Sequence, residues 1–194
     1  MSNILSRVFN ETDLAAITEM ARIKRSRLGA GYDKYIKRVA ETLKDIYPRV
    51  GKLSESELED VVAIVDVWGV ESHSMMKQLK GTCTRCGWCC SQTSAIIVSF
   101  EDVERISRRL RQKRDELFVL DGEKWRIKRC HPCQWWNPRT GRCLIYNIRP
   151  YTCRIWPLAI NEYGQNTLHT ESECTYAVNV LAYKVIGALE ISWK

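Results

Sequence analysis

The chemistry of this chain turns on one stretch, Cys83-Thr84-Arg85-Cys86-Gly87-Trp88-Cys89-Cys90. Two-residue gaps let neighbouring thiolates converge, because the intervening turn reverses the chain within a single coordination sphere. Gly87 opens backbone conformations that a larger residue would resist. A lone Cys-x-x-Cys pair is weak evidence; three cysteines at this spacing with a fourth adjacent is a strong signal. Further along stand Cys130-His131-Pro132-Cys133, then Cys143, Cys153 and Cys174, with turn residues between them that let loops gather distant thiols. All nine cysteines lie between Cys83 and Cys174, enough for two four-thiolate sites with one to spare.

Zinc usually takes two paired-cysteine knuckles separated by a longer spacer, whereas iron–sulfur clusters accept three closely spaced cysteines, each on a different iron. The first run starts like a bacterial ferredoxin run, but the continuation would put a cysteine where Thr93 stands. A radical-SAM spacing beginning at Cys86 and Cys90 ends at the same Thr93. The fourth ligand is therefore Cys90 or a distant cysteine. The reading favours iron–sulfur, one or two clusters of the 4Fe-4S type, over zinc. His131, between Cys130 and Cys133, is the histidine best placed as an alternative ligand.

Composition bounds the rest. With 194 residues, 45% hydrophobic and 27% charged, the chain can build a core without covalent staples. No run of eighteen apolar residues exists, so no membrane span is expected. Residues 1–10 lack a continuous apolar stretch and a small-residue cleavage site, so a secretory signal is not expected. The expected compartment is reducing and cytoplasmic, where clustered cysteines mean metal or redox chemistry rather than a disulfide frame. The formal charge of +7 counts every cysteine as neutral; eight bound thiolates and two dipositive centres would leave roughly +3. The run Arg105, Arg108, Arg109, Arg111, Lys113, Arg114 reads first as a solvated helix face and second as a phosphate-binding or acidic-partner surface.

The cysteine-free first eighty residues read as helices. Asn10 with Asp13 caps a helix that Gly29-Ala30-Gly31 interrupts. A second helix carries Tyr35, Ile36, Val39, Ala40, Leu43 and Ile46 and stops at Pro48. Ser54 and Glu57 form a capping box ahead of Leu58, Val61, Val62 and Val65. Beyond the first cysteines, 95–98 reads as a short strand, Ser99 with Asp102 caps a charged helix reaching about Glu116, and Asp121-Gly122 joins the strands of a hairpin. A second hairpin spans 158–168, and a closing helix presents Ala177, Leu181, Val185 and Leu189 on one face. The expected class is α+β: a helical region, 1–80, then a cysteine-rich metal-binding domain with short strands and helices, 81–194.

Cys83-x2-Cys86-x2-Cys89-Cys90, then Cys133, Cys143-Leu-Ile-Tyr146, Arg149-Pro150-Tyr-Thr-Cys153-Arg154 and Pro157, resembles the YkgJ-type CxxCxxCC family. That family is described as a zinc- or iron-chelating domain and includes the flagellin lysine N-methylase. The resemblance covers about Gly81 to Cys174. It implies Cys83, Cys86, Cys89, Cys90, Cys133, Cys143, Cys153 and Cys174 as ligands, while Cys130 departs from the pattern. A Gly-rich turn for S-adenosylmethionine is not found, since Gly29-Ala30-Gly31 lacks a preceding strand.

The functional expectation is an iron–sulfur protein acting in electron transfer, or as an accessory metalloprotein, with a larger protein partner. The alternatives are a metal-dependent protein-modifying enzyme, lysine N-methylase-like, and a structural zinc module, with nucleic acid as a less favoured partner.

Overall fold

The computed structural model of the chain describes residues 3–68, 84–160 and 166–192. Cys83 and the tip of the second hairpin, around Tyr163-Gly164, lie outside them. The architecture is α+β, and the chain divides into two compact units, one from 1–82 with 157–194 and the other from 83–156.

The first unit is mainly helical: α1 (Glu11–Leu28), α2 (Ala30–Ile46), α3 (Glu55–Val67) and α8 (Thr175–Ser192). Local chemistry sets the boundaries. The Asn10 side chain accepts the Asp13 N–H at 2.8 Å, and Gly29, at φ +60°, separates α1 from α2. Pro48 opens a 3₁₀ turn, Pro48–Lys52, after α2. Ser54 and Glu57 form the expected reciprocal cap of α3. Tyr32, Tyr35, Ile36, Val39, Ala40 and Leu43 line the buried face of α2. They meet Leu58, Val61, Val62 and Val65 of α3 and Val180, Leu181, Val185 and Leu189 of α8, all buried. Each such side chain contributes about 1.5–3 kcal/mol relative to exposure. The Tyr35 hydroxyl donates to the Ala177 carbonyl at 3.0 Å, keeping that polar atom satisfied inside the core. Strands β4 (Leu158–Ile160) and β5 (Asn166–Leu168) pair antiparallel.

The second unit holds α4 (Trp88–Gln92), β1 (Ile97–Val98), α5 (Phe100–Leu110), α6 (Arg114–Leu117), β2 (Phe118–Asp121), β3 (Lys124–Ile127) and α7 (Tyr151–Ile155). Its sheet runs in the order β1-β3-β2, antiparallel throughout, with Asp121 opposite Lys124 at the hairpin turn. Val98, Val103, Ile106, Leu117, Phe118, Ile127 and Trp135 form its core together with Cys130 and Cys133.

One expected element is corrected. The charged helix does not run to Glu116 but ends at Leu110, because Arg111 is left-handed at φ +55°. The N–H groups of Arg111 and Gln112 bond the carbonyls of Arg108 and Ser107, a Schellman closure. The break leaves Ile106 of α5 and Leu117 of α6 both facing the core.

Candidate metal centre

The run from Cys86 to Cys90 is shaped by close backbone packing. Gly87 is left-handed, at φ +78°, and caps α4 without a side chain. A Cβ at Gly87 would stand 1.7 Å from the Gly141 carbonyl oxygen, and one at Gly141 would stand 2.8 Å from that of Cys86. The turn carrying the first cysteines therefore lies directly on the 137–141 turn, with no room for a methyl group at the contact. Asn137 builds that second turn by accepting the N–H groups of Arg139 and Thr140 through its side chain. Two backbone features tie in the later cysteines. The Cys133 N–H bonds the Cys90 carbonyl at 2.9 Å, and Cys143 pairs antiparallel with Trp136.

Cys153 is positioned from further away. It sits in α7, whose first N–H, that of Tyr151, donates to buried Asp102 at 2.7 Å. The other Asp102 oxygen takes the Arg105 guanidinium. Arg105 in turn donates to the carbonyls of Ile148 at 2.8 Å and Arg149 at 3.2 Å. The Thr152 hydroxyl bonds the Ile97 carbonyl at 2.7 Å, fastening α7 to β1. The Ser99 hydroxyl caps α5 by accepting the Asp102 N–H, which leaves the Asp102 carboxylate free to tie α5 to α7.

These constraints bring Cys89, Cys90, Cys133, Cys143 and Cys153 into electrostatic reach of one another. The Cys90 thiol hydrogen-bonds with the sulfurs of both Cys143 and Cys89, which pushes its own pKa far up. The same bonds lower the other two, and Cys143 comes down to about 7, helped by the positive charge of Arg149. Burial raises Cys133 to about 11 and raises Cys153 further, with repulsion from Cys89, Cys133 and Cys143 adding to the latter. Negative charge is costly here unless a cation shares the site. Arg149 supplies some of it, with its guanidinium 3.8 Å from the Tyr146 ring centre and bonded to the Tyr146 carbonyl at 2.8 Å. Arg85 lies over the same ring at 4.4 Å.

The remaining predicted residues fall differently. Cys86 is exposed at the mouth of the turn. Cys130 is buried and gives its thiol proton to the Ile127 carbonyl at 3.2 Å, facing backbone rather than open space. Cys174 lies in the helical unit, just before α8, where its carbonyl accepts the Val178 N–H. Cys83 lies outside the described residues. His131 is exposed and joined to Pro132 by a cis bond. Among the described residues, no group of three or more His, Cys, Asp or Glu stands as a ready-made metal-binding set. The described cysteines are all free thiols. Trp135 is buried against Phe118 at 5.9 Å between rings, while the Nε1 of Trp136 is buried at the Gly87 contact with no hydrogen-bond partner.

Asp102, Arg105 and Gly141 are the positioning residues that the sequence reading did not single out for the site. The Ser99–Asp102 cap was the only signal, and it pointed to the helix rather than to α7.

This short-stranded unit gathers thiols from separate turns, with Cys89 and Cys143 shifted towards thiolate and Cys90, Cys133 and Cys153 held as thiols. Residues 82–175 match the CxxCxxCC family model, "Putative zinc- or iron-chelating domain". The match spans just under half of the chain and takes in all nine cysteines. No curated protein and no solved structure gives a significant match to the chain.

Proposed function

We propose that the chain is an iron–sulfur protein of the cytoplasm, acting in electron transfer or as an accessory metalloprotein beside a larger protein partner. The observation that carries this reading is the mutual proximity of Cys89, Cys90, Cys133, Cys143 and Cys153. Cys83, Cys86 and Cys174 complete the proposed ligand set on the family pattern. Cys130 is left out, because its thiol already has a carbonyl acceptor. A bound iron–sulfur cluster supplies one-electron chemistry.

The chain's own residues prepare the place. The Cys90 proton bridges two sulfurs that lean towards thiolate, and it must leave when a cation binds. Arg149 offsets part of the negative charge and holds the Tyr146–Cys153 loop by two carbonyl bonds. Trp135 and Trp136 pack around Cys133 and Cys143 and limit water access, which tunes a potential. Free thiols at all described cysteines suit a reducing compartment.

Anaerobic purification followed by iron, zinc and acid-labile sulfide analysis, with absorption and electron paramagnetic resonance spectra, tests the reading. Iron and sulfide in comparable amounts, lost on Cys143→Ser, are the expected result. Stoichiometric zinc without sulfide would replace it with a structural zinc module.

A further inference from the structure

The chain's net positive charge is concentrated in the second unit. Residues 83–156 hold fifteen Lys and Arg against seven Asp and Glu, while the rest hold fifteen against sixteen. A four-thiolate site with its metal lowers the local excess of +8 by only about two charges, so most of it remains.

That excess has a shaped location. A cleft of about 760 Å³ opens along α5, lined by Arg105, Arg108, Arg109 and Arg111, by the carboxylates of Glu101 and Glu104, and by Asn147 and Ile148. Its volume lies within the range of small-ligand sites, about 300–1,000 Å³. A second hollow, about 680 Å³, adjoins it, shares Glu104, Arg108 and Arg111, and reaches Trp125 on β3. Arg105 is committed to Asp102 and two carbonyls, and Glu104 is taken by Arg114. Arg108, Arg109 and Arg111 are exposed and, among the described residues, make no ion pair. A helix C-terminus accommodates some positive charge, yet here a left-handed arginine stands where glycine is usual, adding a third free guanidinium to the cleft wall.

We propose that this double cleft binds single-stranded nucleic acid. Three unpaired guanidinium forks along one wall match the concentrated charge of phosphodiesters. A half-buried tryptophan in the adjoining hollow offers a face to an unpaired base, the combination that single-strand binders use. An acidic protein segment would use the arginines but not the ring.

The test uses the full-length protein as isolated, a fluorescein-labelled 12-mer of uridines, and anisotropy measured across a salt series. Three phosphate contacts predict a log–log salt slope of about −2. Arg108→Glu with Arg111→Glu should weaken binding at least about tenfold and flatten the slope. Arg27→Glu with Lys44→Glu makes the same charge change at exposed positions of α1 and α2, outside the cleft, and should cost no more than about twofold on the same grounds. Trp125→Leu should weaken binding by about five- to a hundredfold, as expected for loss of one base stack. The proposal is overturned if the wild type does not bind, if both double variants lose affinity equally, or if a glutamate-rich peptide of equal charge displaces the RNA as well as unlabelled RNA does.

Discussion

Gly87 and Gly141 meet backbone to backbone, so closely that a Cβ on the first would lie 1.7 Å from the carbonyl oxygen of the second. Backbone cannot swing aside as a long side chain can, and Gly87 is also left-handed. Gly87→Ala should therefore cost more than about 4 kcal/mol and abolish metal retention. Gly122→Ala provides the comparison: its φ is +59° but nothing lies within 4 Å of the added methyl. It should cost about 1–2 kcal/mol and leave metal content unchanged. Thermal melts with metal analysis of both variants decide it, and equal losses would refute the role given to the contact.

Asp102 is buried and links α5 to the first turn of α7. Asp102→Ala removes the carboxylate that accepts the Tyr151 N–H and pairs with Arg105, leaving the guanidinium only its two carbonyl acceptors. The expected loss is about 2 kcal/mol. Because the same bond positions Cys153, metal should also dissociate faster to a chelator. A variant that melts lower yet releases metal at the wild-type rate would show that Asp102 serves stability alone.

The thiols of the metal-free protein should not react alike. Cys143, held down to about 7 chiefly by its hydrogen bond from Cys90, is partly thiolate at neutral pH. Cys133 and Cys153 are held as thiols by burial. Iodoacetamide labelling followed by mass spectrometry should show Cys143 alkylating first, with a midpoint near pH 7. A thiol whose pKa is lower folded than unfolded favours folding above its ordinary value near 9, and that contribution fades as pH falls through 7. Raising the pH of the metal-free protein from 7 to about 8 should therefore raise its melting temperature, before the raised thiols of Cys133 and Cys153 act in the opposite sense near 9.

A cut between 80 and 81 can be tested directly. The closing helix α8 buries Val180, Leu181, Val185 and Leu189 in contact with α2 and α3. A fragment spanning 81–194 carries that face without the helices that cover it. It should bind a hydrophobic dye and self-associate on size exclusion, while the full chain does neither. A monomeric 81–194 with a cooperative melt would show that the cysteine-rich part is an independent domain.

What was legible in the sequence was mostly local. Asn10 with Asp13 and Ser54 with Glu57 are contacts across three residues, so their caps could be read directly, and Asp121-Gly122 marked its hairpin. The end of α5 was not legible, because the left-handed position that usually signals itself as glycine is Arg111. The strand expected over 95–98 is trimmed to Ile97–Val98. The cysteine spacing pointed to the same family whose model matches residues 82–175, since such turns recur. What holds the site in shape, Gly87 on Gly141 and Asp102 on Tyr151, joins residues about fifty positions apart and leaves no spacing to read. Nor does spacing reveal that the Cys130 thiol is occupied by the Ile127 carbonyl.

The bond from the Cys133 N–H to the Cys90 carbonyl has a consequence for biosynthesis. As the polypeptide leaves the ribosome, Cys86, Cys89 and Cys90 emerge well before the residue that clamps them, a delay on the order of several seconds at ordinary elongation rates. During that interval they are bare thiols on a nascent strand, open to oxidants and to stray ions. Correct loading must therefore wait until translation has passed the later cysteines, and cells short of reductant should lose this protein while it is still being made.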